Sequence, residues 1–226
     1  MHIVRSGGQF SSEKHRSYQT WGFVCIFFGV ILPGILIFIE GISIGIVSLF
    51  LLPFGLHYLR RAHHWQKGMI GEKQVVEALT LLDNDYVLIN DVILPHRRGN
   101  IDHVLVGPNG TFVIETKSYR WHPLNRLPIK QVLRNAILLR QFLKEHGQID
   151  LFIQSILVST DSRSRAKGKF STVYMSTLSD LCNTIARVKS STYIDHDRRK
   201  QVVHEILQSQ SSLSRLIPQT KSSNQQ

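Results

Sequence analysis

The sequence predicts an α/β domain with a mixed sheet, preceded by a hairpin of two transmembrane helices. Residues 21–59 hold one charged side chain, Glu40, which separates two apolar runs at 21–39 and 42–59. After residue 61, segments with the period of helices intermix with short β-branched segments typical of strands. Because the two kinds of element intermix along the chain, we expect helices packed against a mixed sheet, in an α/β or α+β arrangement.

The composition excludes several classes of protein. The chain has 226 residues, of which 42% are apolar and 19% charged, and this excludes a collagen, a wholly disordered chain and a long coiled coil. Cys25 and Cys182 are too few for a disulfide-framed secreted module or a cysteine-rich zinc site. Residues 62–226 carry 22 basic and 14 acidic side chains, which indicates either a polyanionic partner or the basic face of a membrane protein.

Each apolar run is long enough to cross a bilayer. A helix rises about 1.5 Å per residue, so the run at 21–39 matches the hydrocarbon core in length. Glu40-Gly41 predicts a turn, and basic residues on both outer flanks predict cytoplasmic ends under the positive-inside rule. We therefore expect a two-span protein of the bacterial inner membrane, with residues 1–20 and the folded domain in the cytoplasm. The alternative is a hydrophobic hairpin buried in a soluble protein.

The apolar periods predict the elements of the remaining chain. Helices are predicted over 62–82, 129–146, 179–188 and 197–207, and strands over 86–94, 101–106, 111–117, 151–158 and 172–175. The core order is a helix, three meandering strands, a helix and a strand. We expect a domain over 63–175, C-terminal helices over 176–208 and a polar, disordered tail over 209–226.

The segment IDHVLVGPNGTFVIETK carries the clearest chemical signal. Side chains alternate between the two faces of a strand, so Glu115 and Lys117 share one face. If Pro108-Asn109 is the hairpin tip, Asp102 lies opposite Glu115, and if Asn109-Gly110 is the tip, Asp102 lies opposite Lys117. Both registers group the three charged side chains on one face of the hairpin.

Two opposed carboxylates, roughly 5 Å apart at their β-carbons, repel one another unless a positive charge compensates them. Carboxylate oxygens are preferred by hard cations, which favours Mg²⁺ or Mn²⁺ over Zn²⁺. Lys117 would then orient a water molecule or stabilise developing charge in phosphodiester hydrolysis. The alternative interpretation is a solvent-facing edge on which Lys117 neutralises both acids.

Two helices carry further polar residues at helical spacing. Glu72 precedes Val75 and Leu79 by three and seven residues, so it lies on the apolar face of the first helix. A carboxylate on such a face costs free energy unless it is paired or bound to a metal. Gln131 and Asn135 are i,i+4 neighbours on the later helix, a pattern that is more common on a solvated surface.

Together these residues resemble the nuclease-related domain, NERD. The resemblance rests on Gly71-Glu72, on YVLINDVILP, on IDHVLVGPNGTFVIETKS, and on Gln131 and Asn135. It covers roughly residues 63–175, about half of the chain. It implies a PD-(D/E)xK nuclease-like fold with a restriction-endonuclease core, in which a helix, a three-stranded meander, a helix and a strand follow in order. The implied activity is metal-dependent hydrolysis of phosphodiester bonds in DNA or RNA.

The resemblance also implies a role for each matching residue. The implied metal ligands are Asp102, Glu115 and the carbonyl of Thr116. The implied catalytic residues are Lys117, Glu72 and Gln131. Ile101 stands where the superfamily has proline, a departure that leaves the adjacent carboxylate in place.

Basic and aromatic residues flank the hairpin in sequence. The candidates for nucleic-acid contacts are Arg97, Arg98, Arg120 and Trp121. Guanidinium groups suit phosphates and an indole ring suits a base, but no base-reading motif is visible, so DNA and RNA are equal candidates. Two other hypotheses stay open: a non-catalytic, membrane-tethered nucleic-acid-binding or scaffolding module, and a small two-helix membrane adaptor.

Overall fold

The computed structural model divides the chain into two compact units. One unit contains Met1–Gly7 and Gln74–Gln226, and the other contains Gly8–Lys73. The structure describes residues 1–5, 9–31, 51–95, 99–119, 126–164, 167–188 and 194–216.

The larger unit is built on a mixed sheet, which has seven strands in the described ranges. The strands are β1 (His2–Arg5), β2 (Val87–Val92), β3 (Ile101–Gly107), β4 (Gly110–Lys117), β5 (Ile153–Ser159), β6 (Gly168–Phe170) and β7 (Val173–Thr177). Their order across the sheet is β1-β2-β3-β4-β5-β7-β6. Strands β2, β3 and β4 form an antiparallel meander, whereas β4, β5 and β7 are parallel neighbours. The prediction of an α/β domain with a mixed sheet is confirmed.

The helices lie between and after these strands along the chain. They are α1 (Gln9–Ile26), α2 (Leu51–Leu79), α3 (Leu127–Gly147), α4 (Leu181–Arg187) and α5 (His196–Leu216). A π-helical segment (Phe27–Ile31) follows α1, and a 3₁₀ turn (Leu178–Asp180) precedes α4. The element order from the end of α2 to β5 is therefore helix, three strands, helix and strand.

The sheet is buried on both faces. On one face, β-strand residues such as Val104 and Val113 pack against α3 and α5 through Leu139 and Ile206. On the other face, the core contains Val75 and Leu79 of α2, Leu105, Phe112 and Ile114 of the meander, and Leu181 and Ile185 of α4. Because successive side chains point to opposite faces and both faces are covered, β3 and β4 are buried at nearly every position.

Two short strands lie outside the sequence prediction. The backbone N–H of His2 donates to the carbonyl of Tyr86 at 2.9 Å, and β1 then runs parallel to β2. At the other side of the sheet, β6 pairs with β7, and all three of its residues are exposed. Segments of three or four residues are too short to show the period of two from which strands are predicted.

The C-terminal helix extends beyond its predicted end at residue 207. The side chain of Gln210 bonds both main-chain groups of Ile93: its Nε2 donates to the carbonyl at 2.8 Å, and its Oε1 accepts from the N–H at 3.1 Å. These contacts tie the last turns of α5 to the end of β2. The expected tail over 209–226 is therefore helical through Leu216, and residues 217–226 lie outside the described part.

In the smaller unit, α1 and α2 contact each other in antiparallel order. A ring nitrogen of His15 lies 2.9 Å from the carbonyl oxygen of Ala62. One turn further along α1, the ring of Tyr18 stacks on that of Tyr58 at 6.1 Å. Gly22 then lies so close to Leu59 that no side chain would fit between the helices without displacing that leucine.

The two predicted membrane spans are contradicted by this structure. No helix in the described ranges is both long and apolar enough to cross a bilayer. The physical reason is that α1 begins in the polar segment 9–20, while α2 continues past Arg60 and Arg61 into charged sequence. Residues 32–50, with the expected Glu40-Gly41 turn, lie outside the described part. The expected inner-membrane location is corrected together with the spans, and the expected lipid partner has no support in the described structure.

Candidate active site

The hairpin of β3 and β4 adopts one of the two registers considered for it. Gly107 pairs with Gly110, so Pro108 and Asn109 form the two-residue tip. Gly110 has a φ of 144°, a conformation that glycine adopts without strain. The choice of tip decides which residues meet at the other end of the hairpin.

At that end, Asp102 lies opposite Glu115. The neighbouring pair is His103 with Ile114, and the antiparallel register continues from it by one residue on each strand. Opposed residues point to the same face, and Lys117 lies on that face two residues beyond Glu115. The strand geometry alone therefore brings two acids and one lysine together.

Glu115 is the buried carboxylate of this cluster, with 1% of its surface exposed. Its Oε1 accepts hydrogen bonds from Lys117 Nζ at 2.7 Å and from Gln131 Nε2 at 2.5 Å. Its Oε2 accepts from Asn135 Nδ2 at 3.2 Å. Lys117 Nζ also donates to Gln131 Oε1 at 3.1 Å, which closes a network between β4 and α3. Both oxygens are thus satisfied, as the burial of a carboxylate requires.

Helix α3 presents Gln131 and Asn135 to β4 because of how it is anchored. Pro128 near its start has a fixed φ suited to the first turn. Val132 and Leu139 are fully buried and hold the helix against the sheet. Residues four apart lie side by side on a helix, so both amides reach the same carboxylate.

Asp102 occupies the edge of the cluster. Its Oδ2 accepts a hydrogen bond from the backbone N–H of Thr116 at 2.8 Å, which fixes the carboxylate beside β4. A hydrogen bond between Asp102 and Glu115 also contributes to the electrostatics of Glu115. Two carboxyl groups in such contact share either a proton or a cation.

The charges of the cluster are strongly coupled. Burial raises the pKa of Glu115, and this outweighs the lowering by the charge and hydrogen bond of Lys117. For Lys117, burial lowers the pKa, but the charge and hydrogen bond of Glu115, with a further contribution from Asp102, raise it above its ordinary value. Lys117 is therefore an ammonium ion at neutral pH, and Glu115 holds a proton more readily than an exposed glutamate.

The donor set fits a hard divalent cation. Asp102 and Glu115 offer carboxylate oxygens, and Mg²⁺ is usually held by one or two carboxylates, with water in its other positions. A positive ion between them would replace the proton that burial otherwise favours. In the part of the chain that the structure describes, no group of three or more His, Cys, Asp or Glu side chains is arranged to hold a metal ion.

The other expected site residues either contribute differently from the expectation or stay predictions. Thr116 contributes its backbone N–H, and its Oγ1 is buried without a hydrogen-bond partner among the described residues. Glu72 belongs to the other compact unit, Gly8–Lys73, and its role stays a prediction. Residues outside the described part, whose contacts also stay predictions, are Arg97, Arg98, Arg120 and Trp121.

Two features of the site were predicted weakly or not at all from the sequence. Asn135 is buried and is a direct partner of Glu115, and its spacing from Gln131 was the available signal. Beside the β3 end of the hairpin, Asn100 Nδ2 donates to Asp91 Oδ1 at 2.7 Å. Asp91 is buried at the end of β2 with a φ of 51°, a conformation that aspartate tolerates better than most residues.

His103 lies next to Asp102 in sequence but on the other face of β3. One ring nitrogen, Nδ1, is 2.7 Å from Asn90 Oδ1 in the facing strand. The ring is completely enclosed, and burial lowers its pKa to about 4. His103 is therefore neutral at neutral pH and belongs to the core rather than to the charged cluster.

Comparison with known proteins identifies the segment that carries the cluster. No curated protein and no solved structure matches the chain. The family model of the nuclease-related domain, NERD, matches residues 67–160. This segment includes the end of α2, the meander, α3 and β5, and it contains the buried Glu115 with its partners Lys117, Gln131 and Asn135. Over residues 67–160, this chain is therefore similar to the nuclease-related domain family.

Proposed function

We propose that this chain is a metal-dependent nuclease that hydrolyses phosphodiester bonds in DNA or RNA. The observation that carries the proposal is the buried Glu115, which faces Asp102 and accepts a hydrogen bond from Lys117. Burying a carboxylate beside a second one costs free energy, which Lys117 and two amides offset here and which a cation bound between the two acids would offset further. A chain selected for stability alone would place apolar side chains at these positions.

The order of elements supports a PD-(D/E)xK-like core as the framework. A helix, an antiparallel meander, a helix and a strand parallel to β4 follow in that order. Both acids and the lysine lie at one end of the central hairpin. Ile101 replaces the proline of the superfamily motif, but it is a buried strand residue and leaves Asp102 directed to the cluster.

In the proposed mechanism, Asp102, Glu115 and the carbonyl of Thr116 would hold Mg²⁺ or Mn²⁺. The bound cation would polarise a phosphoryl oxygen and stabilise the charge that develops on it. Lys117, as an ammonium ion, holds and orients the attacking water beside these carboxylates. Gln131 and Asn135 are positioning residues, because their amides hold Glu115.

Other residues contribute to the proposal without a described position in the site. Glu72 is the proposed acid of the first helix. The proposed nucleic-acid contacts are Arg97, Arg98, Arg120 and Trp121. Their side chains suit phosphates and a stacked base, and none of them reads a sequence by itself.

The test uses the full chain with supercoiled plasmid DNA and with single-stranded RNA, in Mg²⁺, Mn²⁺ or EDTA. Variants Asp102→Asn, Glu115→Gln and Lys117→Gln remove one charge each. Glu145→Gln is the matched control, because it removes an exposed carboxylate from α3 outside the cluster. Circular dichroism establishes that every variant is folded.

We expect metal-dependent cleavage of at least one substrate by the parent chain and by Glu145→Gln, and its loss in the three site variants. Cleavage that persists in EDTA or in Asp102→Asn would overturn the assignment. Nucleic-acid binding without cleavage in any metal would instead favour a non-catalytic binding module.

A further inference from the structure

A small cavity adjoins the carboxylate cluster on the side of α3. It has a volume of about 120 Å³, and its polar lining comes from Asn100, Gln131, Arg134 and Asn135. Leu94 and Leu138 form part of its apolar wall. Gln131 and Asn135 also hold Glu115, so the cavity and the proposed metal site share two side chains.

The cavity is suited to an anion. Arg134 is the charged residue of its lining, and no acidic side chain lines it among the described residues. The amide groups of Gln131 and Asn135 each carry two N–H bonds, and each is seen to donate once, to Glu115. A second N–H on each amide therefore remains for another acceptor.

Arg134 lies close enough to the cluster to act on it electrostatically. Its charge contributes to lowering the pKa of Glu115. Within the described part of the chain, no ion pair and no side-chain hydrogen bond occupies its guanidinium group. The side chain is exposed, so its five N–H donors are open to a ligand.

The volume of the cavity limits the size of the anion that can bind there. Pockets for drug-sized ligands measure about 300–1,000 Å³, well above the volume found here. A phosphate group is compact, and it matches the planar fork of an arginine through two parallel hydrogen bonds.

We propose that Arg134 and this cavity bind a backbone phosphate of the nucleic acid, adjacent to the phosphate that is hydrolysed. The inference rests on the proposed nuclease function, because it assigns the neighbouring group of the same substrate. Arg134 thus fixes the position of the nucleic-acid strand relative to the carboxylates of Asp102 and Glu115. A phosphate contact carries no base information, so the contribution is the same for every sequence.

The experiment measures binding separately from cleavage. A fluorescein-labelled single-stranded DNA of 20 nucleotides is titrated with the full chain in EDTA, and anisotropy gives the dissociation constant at several salt concentrations. The variant is Arg134→Gln. Lys144→Gln is the matched control, because it makes the same charge change on an exposed side chain near the other end of α3.

We expect Arg134→Gln to weaken binding at least about tenfold at low salt, as the loss of a charged hydrogen bond does. The slope of log affinity against log salt is negative, and its magnitude should decrease by about 0.7, the value for one phosphate contact with a single strand. Lys144→Gln should match the parent chain. An oligonucleotide of scrambled sequence should give the same differences.

The outcomes separate this inference from the nuclease proposal. The phosphate-site assignment is wrong if Arg134→Gln has the same salt-dependence slope as the parent chain, or if Lys144→Gln loses as much binding affinity as Arg134→Gln. Either result would count against it even when the parent chain cleaves DNA. Absence of DNA binding by the parent chain also overturns it. If only Arg134→Gln has a slope of smaller magnitude, and if no metal supports cleavage, the phosphate-site assignment is retained and the nuclease proposal is wrong.

Discussion

Asn135 on α3 donates a hydrogen bond to Glu115 on β4 across 3.2 Å, between two buried side chains twenty residues apart in sequence. This contact satisfies the carboxylate oxygen that Lys117 and Gln131 leave unoccupied. Because it comes from a helix anchored in the core, it restricts the position of Glu115 without competing for the lysine. The stiffness of the site thus depends on the docking of α3.

Replacing Asn135 with Ala should weaken the site without unfolding the domain. The lost donor leaves Oε2 of Glu115 less well solvated, which should raise the pKa of that carboxyl further. We expect about a tenfold fall in the rate of metal-dependent cleavage and a shift of the pH profile toward higher pH. Steady-state rates between pH 5.5 and 8.5 test this. Ile137→Ala, at an exposed position of the same helix, is the control, and an unshifted profile in Asn135→Ala would contradict the prediction.

Metal affinity should increase with pH. Burial raises the pKa of Glu115, and a proton and a cation compete for the same oxygens. Mn²⁺ binding, followed by electron paramagnetic resonance at pH 5.5, 6.5 and 7.5, should therefore be tighter at the highest pH than at the lowest in the full chain. Glu115→Gln should bind weakly at all three values. An affinity that does not change with pH in the parent chain would speak against a shared proton and metal site.

His103 should make the domain less stable in mild acid. Its pKa is about 4 in the folded state and 6.5 ordinarily, so between these values the unfolded chain binds a proton that the folded chain does not. The free energy of unfolding should therefore decrease as the pH falls from 6.5 to 4, with a contribution from His103 of at most about 1.4 kcal/mol per pH unit.

Urea unfolding in EDTA at pH 7.0, 5.5 and 4.5 measures this effect. His103→Gln cannot titrate and should show a smaller loss of stability over the same range. The comparison with the parent chain isolates His103 from the other titrating groups. Equal losses in both proteins would show that His103 is not the group responsible.

Gln210→Ala should destabilise the domain by about 1–2 kcal/mol. The substitution removes the two hydrogen bonds to Ile93 and a third to Ser209 Oγ, and it leaves both main-chain groups of Ile93 to be solvated by water. Urea denaturation at neutral pH measures the change, with Lys200→Ala, at an exposed position of the same helix, as the control. If Gln210→Ala were as stable as the parent chain, the contacts between the end of α5 and Ile93 would contribute nothing to the free energy of unfolding.

The sequence was informative wherever the signal was local. A period of two placed Asp102 and Glu115 on one face of a hairpin in either register, and a spacing of four placed Gln131 beside Asn135. These relationships follow from strand and helix geometry, which acts over a few residues. The prediction of two membrane spans was wrong for a related reason. A count of apolar residues does not show where a helix begins or whether it continues into charged sequence.

By itself, the sequence determined the mixed α/β class, the resemblance to the nuclease-related domain and the set of charged residues at the end of the hairpin. Only the tertiary structure decided that Pro108-Asn109 forms the tip, that α3 packs its two amides onto Glu115, and that β1 and β6 join the sheet. The physical reason is that periodicity is written along the chain, whereas these contacts join residues far apart in sequence. Such contacts form because the apolar faces of α3, α5 and the sheet can be buried together in this arrangement.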